Sequence, residues 1–505
     1  MTGCLLNLTN TFPPLQEKSL EAGAIPLLEG YLRRFATDED LVQTTLLCVG
    51  GLAESARGIA LCAQVKMASR VVPLLDAVVG GGVAAAGAGS GGGGVSEEDA
   101  EVAEGMLELL AQLAEDDNVK VELATPSPDH PVHCCEILVK LVRETIESPS
   151  FDSEGDEDRQ ALGKLSSDLI VTLVTGDAAM ELLYNKGAGL VFEEAHRWLS
   201  SSNEQLQTAG ALVVGNFARN DDNCKQLVQL GVAELLIATL KTTPLEKSES
   251  LQHAVLSTLR NLAIPLENKA ALLDKGILGT VLPLSKSPTF QIQFKLLGLI
   301  RMLVDNQPGA ALALGKNSVF VQLIVNWCGV DDNPGIRSEA VRLLAWLIKN
   351  SRSKEVMEIV VAKGGFPFLA SMIQSEHVVM QNEALISITL MFVHLPAAQL
   401  ADLVPVLVEK LKAALNKNDK QEEPSVAEAM AAASSSAASS PTADLATSAE
   451  SLANVFTLLT VCAEHEAIRE KMKGEEDLMS LAKSHAESAE EKIAVGAKAV
   501  INKYA

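Results

Sequence analysis

The chain has 505 residues, of which 48% are hydrophobic and only 4% aromatic, and its formal net charge is −24 at pH 7. Few aromatic residues beside abundant Leu, Ala and Val favour helices packed through many small contacts and argue against a β-sandwich. So acidic a chain repels nucleic acid and anionic membranes, which excludes both as expected partners. The acid is concentrated in residues 1–200, which hold 32 acidic and 13 basic residues.

A helical unit recurs along the chain. The segment Leu206–Leu240 is echoed by Leu251–Leu284: in each, an apolar helix ends near an asparagine, Asn216 or Asn261, and a second helix then runs to a glycine and a third apolar stretch. A period of roughly 40–47 residues with two or three helices per unit is typical of armadillo and HEAT repeats. The sequence therefore predicts an all-α, armadillo-repeat, right-handed superhelical solenoid of about nine to ten repeats, a fold that serves mainly as a binding surface.

The helix that carries Asn216 has an equivalent in every unit, and we call these the inner helices. Their equivalent residues, the ladder positions, are Asn7, Gly51, Gln112, Thr172, Asn216, Asn261, Met302, Trp346 and Thr389. Two intervals of about 60 residues each contain an insertion. We expect armadillo repeats over 1–414 with flexible insertions at 80–98 and 147–159, a low-complexity, disordered Ala/Ser linker over 415–448, and a terminal helical repeat and cap over 449–505.

Glycines and cysteines add two local expectations. Gly23, Gly187, Gly231, Gly276 and Gly364 each follow a helix, where glycine commonly forms the C-terminal cap. The eight cysteines mostly lie in apolar helical runs, which is typical of buried, reduced thiols in a cytosolic protein. No charged-then-apolar leader opens the chain, and the most apolar stretch, Val71–Gly89, is interrupted by Asp76 and several glycines. We therefore expect a cytoplasmic protein without direct membrane insertion.

Little in the sequence indicates bond chemistry. The glycine-rich stretch Gly80–Val95 lacks a following Gly-Lys-Ser/Thr, and His133-Cys134-Cys135 has no second half at zinc spacing. The acids of Asp152–Asp158 lack the ligand order of a calcium loop. We therefore predict no catalytic residue, no cofactor and no metal site, and a protein that is not an enzyme.

The inner helices carry the candidate site instead, because in an armadillo unit they line the groove that faces an extended partner. The predicted groove residues are Asn216, Arg219, Arg260, Asn261 and Arg301. An asparagine amide can donate to and accept from a partner's backbone, and the two arginines just before the ladder position suggest a row that contacts carboxylates. Alternatively, the two asparagines satisfy backbone groups at an inter-repeat turn.

The same face changes sign toward the N-terminus. Glu54 and Glu115 align with Arg219, and with Asp116 and Asp117 they form a predicted acidic patch for a basic partner. The groove is thus expected to be acidic early and more basic later. The alternative interpretation is that the acids only keep the surface soluble.

Five sequence segments carry a family resemblance when taken together and in order. They are NFARND (Asn216–Asp221), LRNLAIP (Leu259–Pro265), QFKLLG (Gln293–Gly298), LGKN (Leu314–Asn317) and SEHVVMQNEAL (Ser375–Leu385). The chain resembles the Smg GDS family, armadillo-repeat stimulators of GDP dissociation from small GTPases. Gly80–Val95 and the Ala/Ser tract near residue 430 depart from the family pattern.

The resemblance implies a guanine nucleotide exchange factor and chaperone-like binding protein for small GTPases of Rho, Rap or Ras type with polybasic, prenylated C-terminal tails. It further implies a monomer of the cytosol, with family members also found at the endoplasmic reticulum and mitochondria. The five groove residues become GTPase contacts, and the acidic patch becomes the site for the tail. Two alternatives stay open: an armadillo scaffold without exchange activity, and a nuclear import adaptor. Leu212 and Ser257 count against the adaptor, whose groove uses Trp at those places.

Overall fold

The computed structural model describes Gly3, Leu6 and residues 13–85, 97–126, 132–147, 157–244, 248–418 and 441–504. The chain divides into two compact units, Met1–Asn268 and Lys269–Ala505. Within the described residues the regular structure is helical throughout, with no β-strand. The all-α prediction is therefore confirmed.

The first unit is a succession of short and long helices. Its helices are α1 (Pro13–Glu21), α2 (Ala24–Arg34), α3 (Glu39–Ala53), α4 (Ala56–Gln64), α5 (Met67–Ala85), α6 (Glu97–Leu113), α7 (Asp117–Ala124), α8 (Cys134–Thr145), α9 (Glu157–Leu173), α10 (Asp177–Tyr184), α11 (Leu190–Trp198), α12 (Glu204–Phe217), α13 (Asp221–Gln229), α14 (Val232–Thr242) and α15 (Glu249–Leu262). A 3₁₀ turn, Asn185–Gly187, joins α10 to α11.

The second unit continues the pattern. After α16 (Leu266–Asp274), which spans the boundary, come α17 (Ile277–Val281), α18 (Phe290–Val304), α19 (Pro308–Lys316), α20 (Ser318–Cys328), α21 (Pro334–Ser351), α22 (Lys354–Ala362), α23 (Phe366–Met372), α24 (Val378–His394), α25 (Ala397–Ala401), α26 (Val404–Asn418), α27 (Pro441–Cys462), α28 (Glu466–Lys473), α29 (Glu476–His485) and α30 (Glu491–Tyr504). A 3₁₀ segment, Leu282–Lys286, follows α17.

One repeat shows why the units form. The Asn220 side chain accepts a hydrogen bond from the Asn223 amide and so caps the start of the short helix α13. The next helix, α14, buries Val232, Leu236 and Leu240 at helical spacing. The longer inner helix α15 follows and completes a three-helix armadillo unit.

Four of the five predicted cap glycines cap a helix as expected, whereas Gly187 ends the 3₁₀ turn after α10, whose C-cap residue is Asn185. Gly23, Gly187, Gly231, Gly276 and Gly364 all have φ between +75° and +83°. An L-residue with a Cβ is strained in this left-handed region, which explains why glycine ends the first helix of these units.

Successive inner helices pack against one another. In the first unit α3, α6, α9, α12 and α15 contact in that order, and in the second unit α18, α21, α24 and α27 do the same. Their buried sides are almost entirely aliphatic, as in α12 with Leu206, Val213 and Val214. Each inner helix is thus fixed by apolar burial and keeps one face exposed.

Two segments that the sequence predicts to be non-helical are partly helical at their ends. Helix α5 continues to Ala85 and covers the first six residues of the predicted glycine-rich loop, because alanines at its end favour the helix. Helix α26 runs to Asn418 and α27 begins at Pro441, so both ends of the predicted linker are helical; proline suits the first turn of a helix. The rest of both segments, and the acidic insertion over 148–156, lie outside the described residues.

Among the described helices, none is by itself long and apolar enough to cross a membrane. Two bent pairs pass that test together, by length and composition only: Ala56–Gln64 with Met67–Gly80, and Pro308–Lys316 with Ser318–Cys328.

Candidate functional site

Two ladder residues, Gln112 and Asn261, bind the preceding inner helix. The Gln112 amide donates from Nε2 to the Gly50 carbonyl at 3.3 Å, and the Asn261 amide donates from Nδ2 to the Gly215 carbonyl at 3.1 Å. Both acceptors lie in the last turn of a helix, where carbonyls have no later amide in the same helix to bind. The inter-repeat role considered as an alternative for Asn261 is therefore present in the structure.

Asn216 lies in the last turn of α12, and Arg219 follows the end of that helix. Asn216 is half-buried and donates to the Leu212 carbonyl within its own helix at 3.0 Å. Arg219 is exposed, donates to the Thr175 carbonyl at 2.6 Å and pairs with Asp177 at 2.7 Å. Asp177 thus already neutralises part of the charge of Arg219, a residue that the sequence predicts to contact a partner.

Arg260 and Arg301 differ although they occupy equivalent places. Arg260, in the first unit, is half-buried, and no ion pair to it occurs within the described part of the chain. Arg301, in the second unit, is 4% exposed; its guanidinium donates to both carboxylate oxygens of Glu339 at 2.9 and 3.2 Å. The guanidinium also lies 5.0 Å from the Trp346 ring centroid. This geometry gives Arg301 a packing role rather than an open contact position.

Arg301 belongs to a row of alternating charges across three inner helices. Glu339 on α21 also accepts from Arg342 at 3.1 Å, and Arg342 binds both oxygens of Glu383 on α24 at 2.8 Å. Loss of hydration lowers the pKa of Arg342, but its two carboxylate partners more than offset this and the pKa is raised. The row is internally neutral, so the second unit's inner face is less basic than the sequence predicts.

The predicted acidic patch separates into free and engaged residues. Glu115 is exposed, and Glu54 is exposed and accepts from Gln16 at 3.2 Å. Asp116 instead caps α7 by accepting from the amides of Asn118 and Val119, and Asp117 pairs with Lys120 at 2.8 Å. Glu54 and Glu115 therefore remain the better candidates for contacts with a basic partner.

The acidic face is larger than the predicted acidic patch. On α6, Glu108, Glu104 and Glu101 precede the ladder position by one, two and three helical turns and line up with Glu115. Asp168 lies one turn before the ladder position on α9, and Asp40 lies at the start of α3. These residues follow from the 3.6-residue period once the ladder position is known.

Asp168 is an exposed residue whose carboxyl is partly shielded from water. Burial raises the pKa of Asp168, and the nearby Lys164 opposes that shift. The side chain is still on the acidic face, one turn from the ladder residue Thr172. A cation that approached Asp168 would therefore displace less water than it would at a fully hydrated carboxylate.

The cysteines of the described residues lie in the protein core. The seven described cysteines are buried and no disulfide joins any two of them, while Cys4 lies outside the described residues. Burial raises the pKa of Cys62, Cys134 and Cys224 to about 12, which keeps these thiols protonated and unreactive near neutral pH. Within the described residues no cluster of three or more His, Cys, Asp or Glu side chains is arranged to hold a metal ion.

Stacked three-helix units with a charged, exposed face on their inner helices define an armadillo-repeat protein. The fold alone is also similar to an engineered protein of known crystal structure, with a TM-score of 0.59 at 19% identity over 82% of this chain and 89% of that one. No protein-family model matches the chain.

Relatives of known name support the resemblance. The chain is 38% identical over 388 residues to Rap1 GTPase-GDP dissociation stimulator 1-B of Xenopus laevis, and 37% identical over 388 residues to the 1-A protein of that frog. It is 31% identical over 415 residues to the GTPase-GDP dissociation stimulator vimar of Drosophila melanogaster. The matches cover 75–77% of this chain but only 59–60% of the relatives. The chain is a homologue of the Smg GDS family, as the five segments indicate.

Proposed function

We propose that this protein binds small GTPases of Rho, Rap or Ras type and stimulates their release of GDP. The observation that carries the proposal is its similarity to proteins named GDP dissociation stimulators over about three quarters of its length. The acidic inner face of the first unit supports it independently, because such a face attracts a partner with a cationic tail.

The proposed exchange activity requires no bond chemistry. A protein that binds the nucleotide-free GTPase more tightly than the GDP-bound form lowers the GTPase's affinity for GDP by that difference. Each 1.4 kcal/mol of preference corresponds to about tenfold in GDP affinity. The groove residues Asn216, Arg219 and Arg260 are proposed to contact the GTPase.

The proposed partner carries a polybasic C-terminal tail, prenylated or not, and binds one copy of this chain in the cytosol. The tail is proposed to lie on the acidic inner face of α3, α6 and α9. Glu54, Glu108, Glu115 and Asp168 are exposed there, and Lys164 is the basic residue of α9 on the same face. Exposed charges are screened by salt over about 8–10 Å, so binding is expected to weaken as ionic strength rises.

Release of fluorescent GDP from a Rho-type and a Rap-type GTPase tests the proposal. The protein at micromolar concentration is expected to accelerate release, and 0.5 M salt is expected to reduce the effect. Glu108→Lys should weaken binding of a polybasic-tailed GTPase by about three- to tenfold. Glu193→Lys is the matched control, because Glu193 is exposed on α11, which is not an inner helix.

Two results would contradict the proposal in different ways. Binding without faster release would support the alternative of an armadillo scaffold without exchange activity. Absence of binding to any Ras-superfamily GTPase at low salt would remove the GTPase as partner altogether.

A further inference from the structure

Four residues at one equivalent place form an ordered row across the first unit. Leu47, Glu108, Asp168 and Leu212 each lie one helical turn before the ladder position, on the successive inner helices α3, α6, α9 and α12. We call them the leucine–acid row. Its order is apolar, acidic, acidic, apolar.

All four side chains of the row are accessible. Leu47 is 56% exposed and Leu212 is 37% exposed, and Glu108 and Asp168 also fall in the exposed class. The cores of α3 and α12 are filled by other residues, such as Leu46 and Val49 on α3. The two leucines are therefore available to a ligand and are not required for packing of their own helices.

The register of the helices places the four positions at about the same level on neighbouring helices. Gln112 on α6 binds the Gly50 carbonyl of α3, and Arg219 after α12 binds the Thr175 carbonyl after α9. Thr175 and Arg219 each lie three residues after a ladder position, so they are equivalent in their two repeats. Gly50 lies one residue before the ladder position that is equivalent to Gln112. Helices α6 and α9 also contact each other, so the row is continuous across the four helices.

The spacing of the row limits what can occupy it. Packed helices lie about 8–10 Å apart, and an extended chain advances about 3.3 Å per residue. One inner helix therefore corresponds to about two and a half to three residues of an extended ligand. From Leu47 to Leu212 the ligand would span about seven to nine residues.

We propose that the leucine–acid row binds an extended basic segment in which two cationic residues, about three positions apart, are flanked on both sides by an apolar residue about three positions further out. The inference rests on the proposed function, since the segment is taken to be the tail of the partner GTPase. Charge complementarity favours a basic occupant, because Glu108 and Asp168 lie at the centre of the row with Glu104 and Glu115 beside them. The exposed leucines set the ends of the segment.

Two ten-residue peptides of identical composition test the row. The first has Leu at positions 1 and 10 and Lys at 4 and 7, with Ser and Gln elsewhere; in the second the Leu and Lys positions are exchanged. Fluorescence anisotropy with the full chain is expected to show at least about fivefold tighter binding of the first peptide. Equal binding of the two peptides would overturn the proposal.

Variants test whether the row causes the preference for the first peptide. Leu47→Ser with Leu212→Ser should reduce the ratio of the two affinities to about one, and Glu108→Gln should weaken the first peptide more than the second. Leu182→Ser is the control, because Leu182 is 51% exposed but lies on α10. Circular dichroism checks that each variant is folded. An unchanged ratio in the double leucine variant would also overturn the proposal.

The failures of the two proposals can be told apart. If a small GTPase binds and the peptides bind equally, the row proposal fails while the proposed function stands. If the first peptide is preferred and no GTPase binds, the proposed function fails and the row recognises a basic segment of another protein.

Discussion

The side-chain amide of Asn261 donates a 3.1 Å hydrogen bond to the Gly215 carbonyl of the preceding inner helix. Gln112 makes the corresponding bond to Gly50. Each bond supplies a donor to a carbonyl at a helix C-terminus, which otherwise lacks one. These two ladder residues thus fix the register of neighbouring inner helices. The residues one turn before and after them contribute to the exposed face.

Removal of this amide should destabilise the first unit. Asn261→Ala leaves the Gly215 carbonyl without its donor, and we expect a loss of about 1–2 kcal/mol in the free energy of unfolding. Thermal unfolding followed by circular dichroism measures it. Asn216→Ala is the control, since its amide bonds within its own helix and should cost less than half as much. Equal melting temperatures for Asn261→Ala and the parent would contradict the assigned role.

The close approach of α12 and α15 gives a second test. A Cβ at Gly215 would lie 2.5 Å from Thr258 Oγ1, and that hydroxyl donates to the Ala211 carbonyl at 2.8 Å. Gly215→Ala should therefore cost about 1–3 kcal/mol through overpacking. In the double variant with Thr258→Ala the clash is removed. We expect the double variant to be more stable than the sum of the single effects predicts, and strict additivity would show that the two residues do not interfere.

The charge row of the second unit should be sensitive to loss of its central carboxylate. Glu339→Ala leaves the buried guanidinium of Arg301 with only the Trp346 ring beside it, and we expect a loss of about 3–5 kcal/mol. Glu358→Ala breaks an exposed pair with Lys354 and should cost less than about 0.5 kcal/mol. Denaturant unfolding compares the two. Similar small losses for both variants would mean that Arg301 is hydrated despite its burial.

The buried thiols predict both slow alkylation and a decline in stability at alkaline pH. With the pKa of Cys62, Cys134 and Cys224 raised to about 12, the folded chain at pH 8 should resist iodoacetamide, and the chain in urea should react. Mass spectrometry of the labelled peptides measures this. In the unfolded chain these thiols ionise near their ordinary pKa of about 8.5. Their contribution to stability is therefore present below that pH and is lost as the pH rises toward 12. Rapid labelling of the folded chain would contradict the burial.

The sequence was sufficient for the repeat and its corners because both follow from local chemistry. The period located the inner helices, and the five glycines marked the corners where φ is positive. The site was predicted less well. Arg301 looked like a surface charge since its partner, Glu339, lies on another helix and nothing local links the two residues. Glu101, Glu104 and Glu108 were missed because one residue per helix was compared, although the helical period brings earlier turns onto the same face.

The left-handed corners have a practical consequence for engineering. Gly231 and Gly276 have similar φ, +83° and +75°, at corresponding joints of consecutive repeats. A block cut between two such joints can be exchanged for the block from another repeat without imposing a new backbone conformation on either seam. Ligand preference in this scaffold could therefore be rewritten by swapping modules rather than by altering individual side chains.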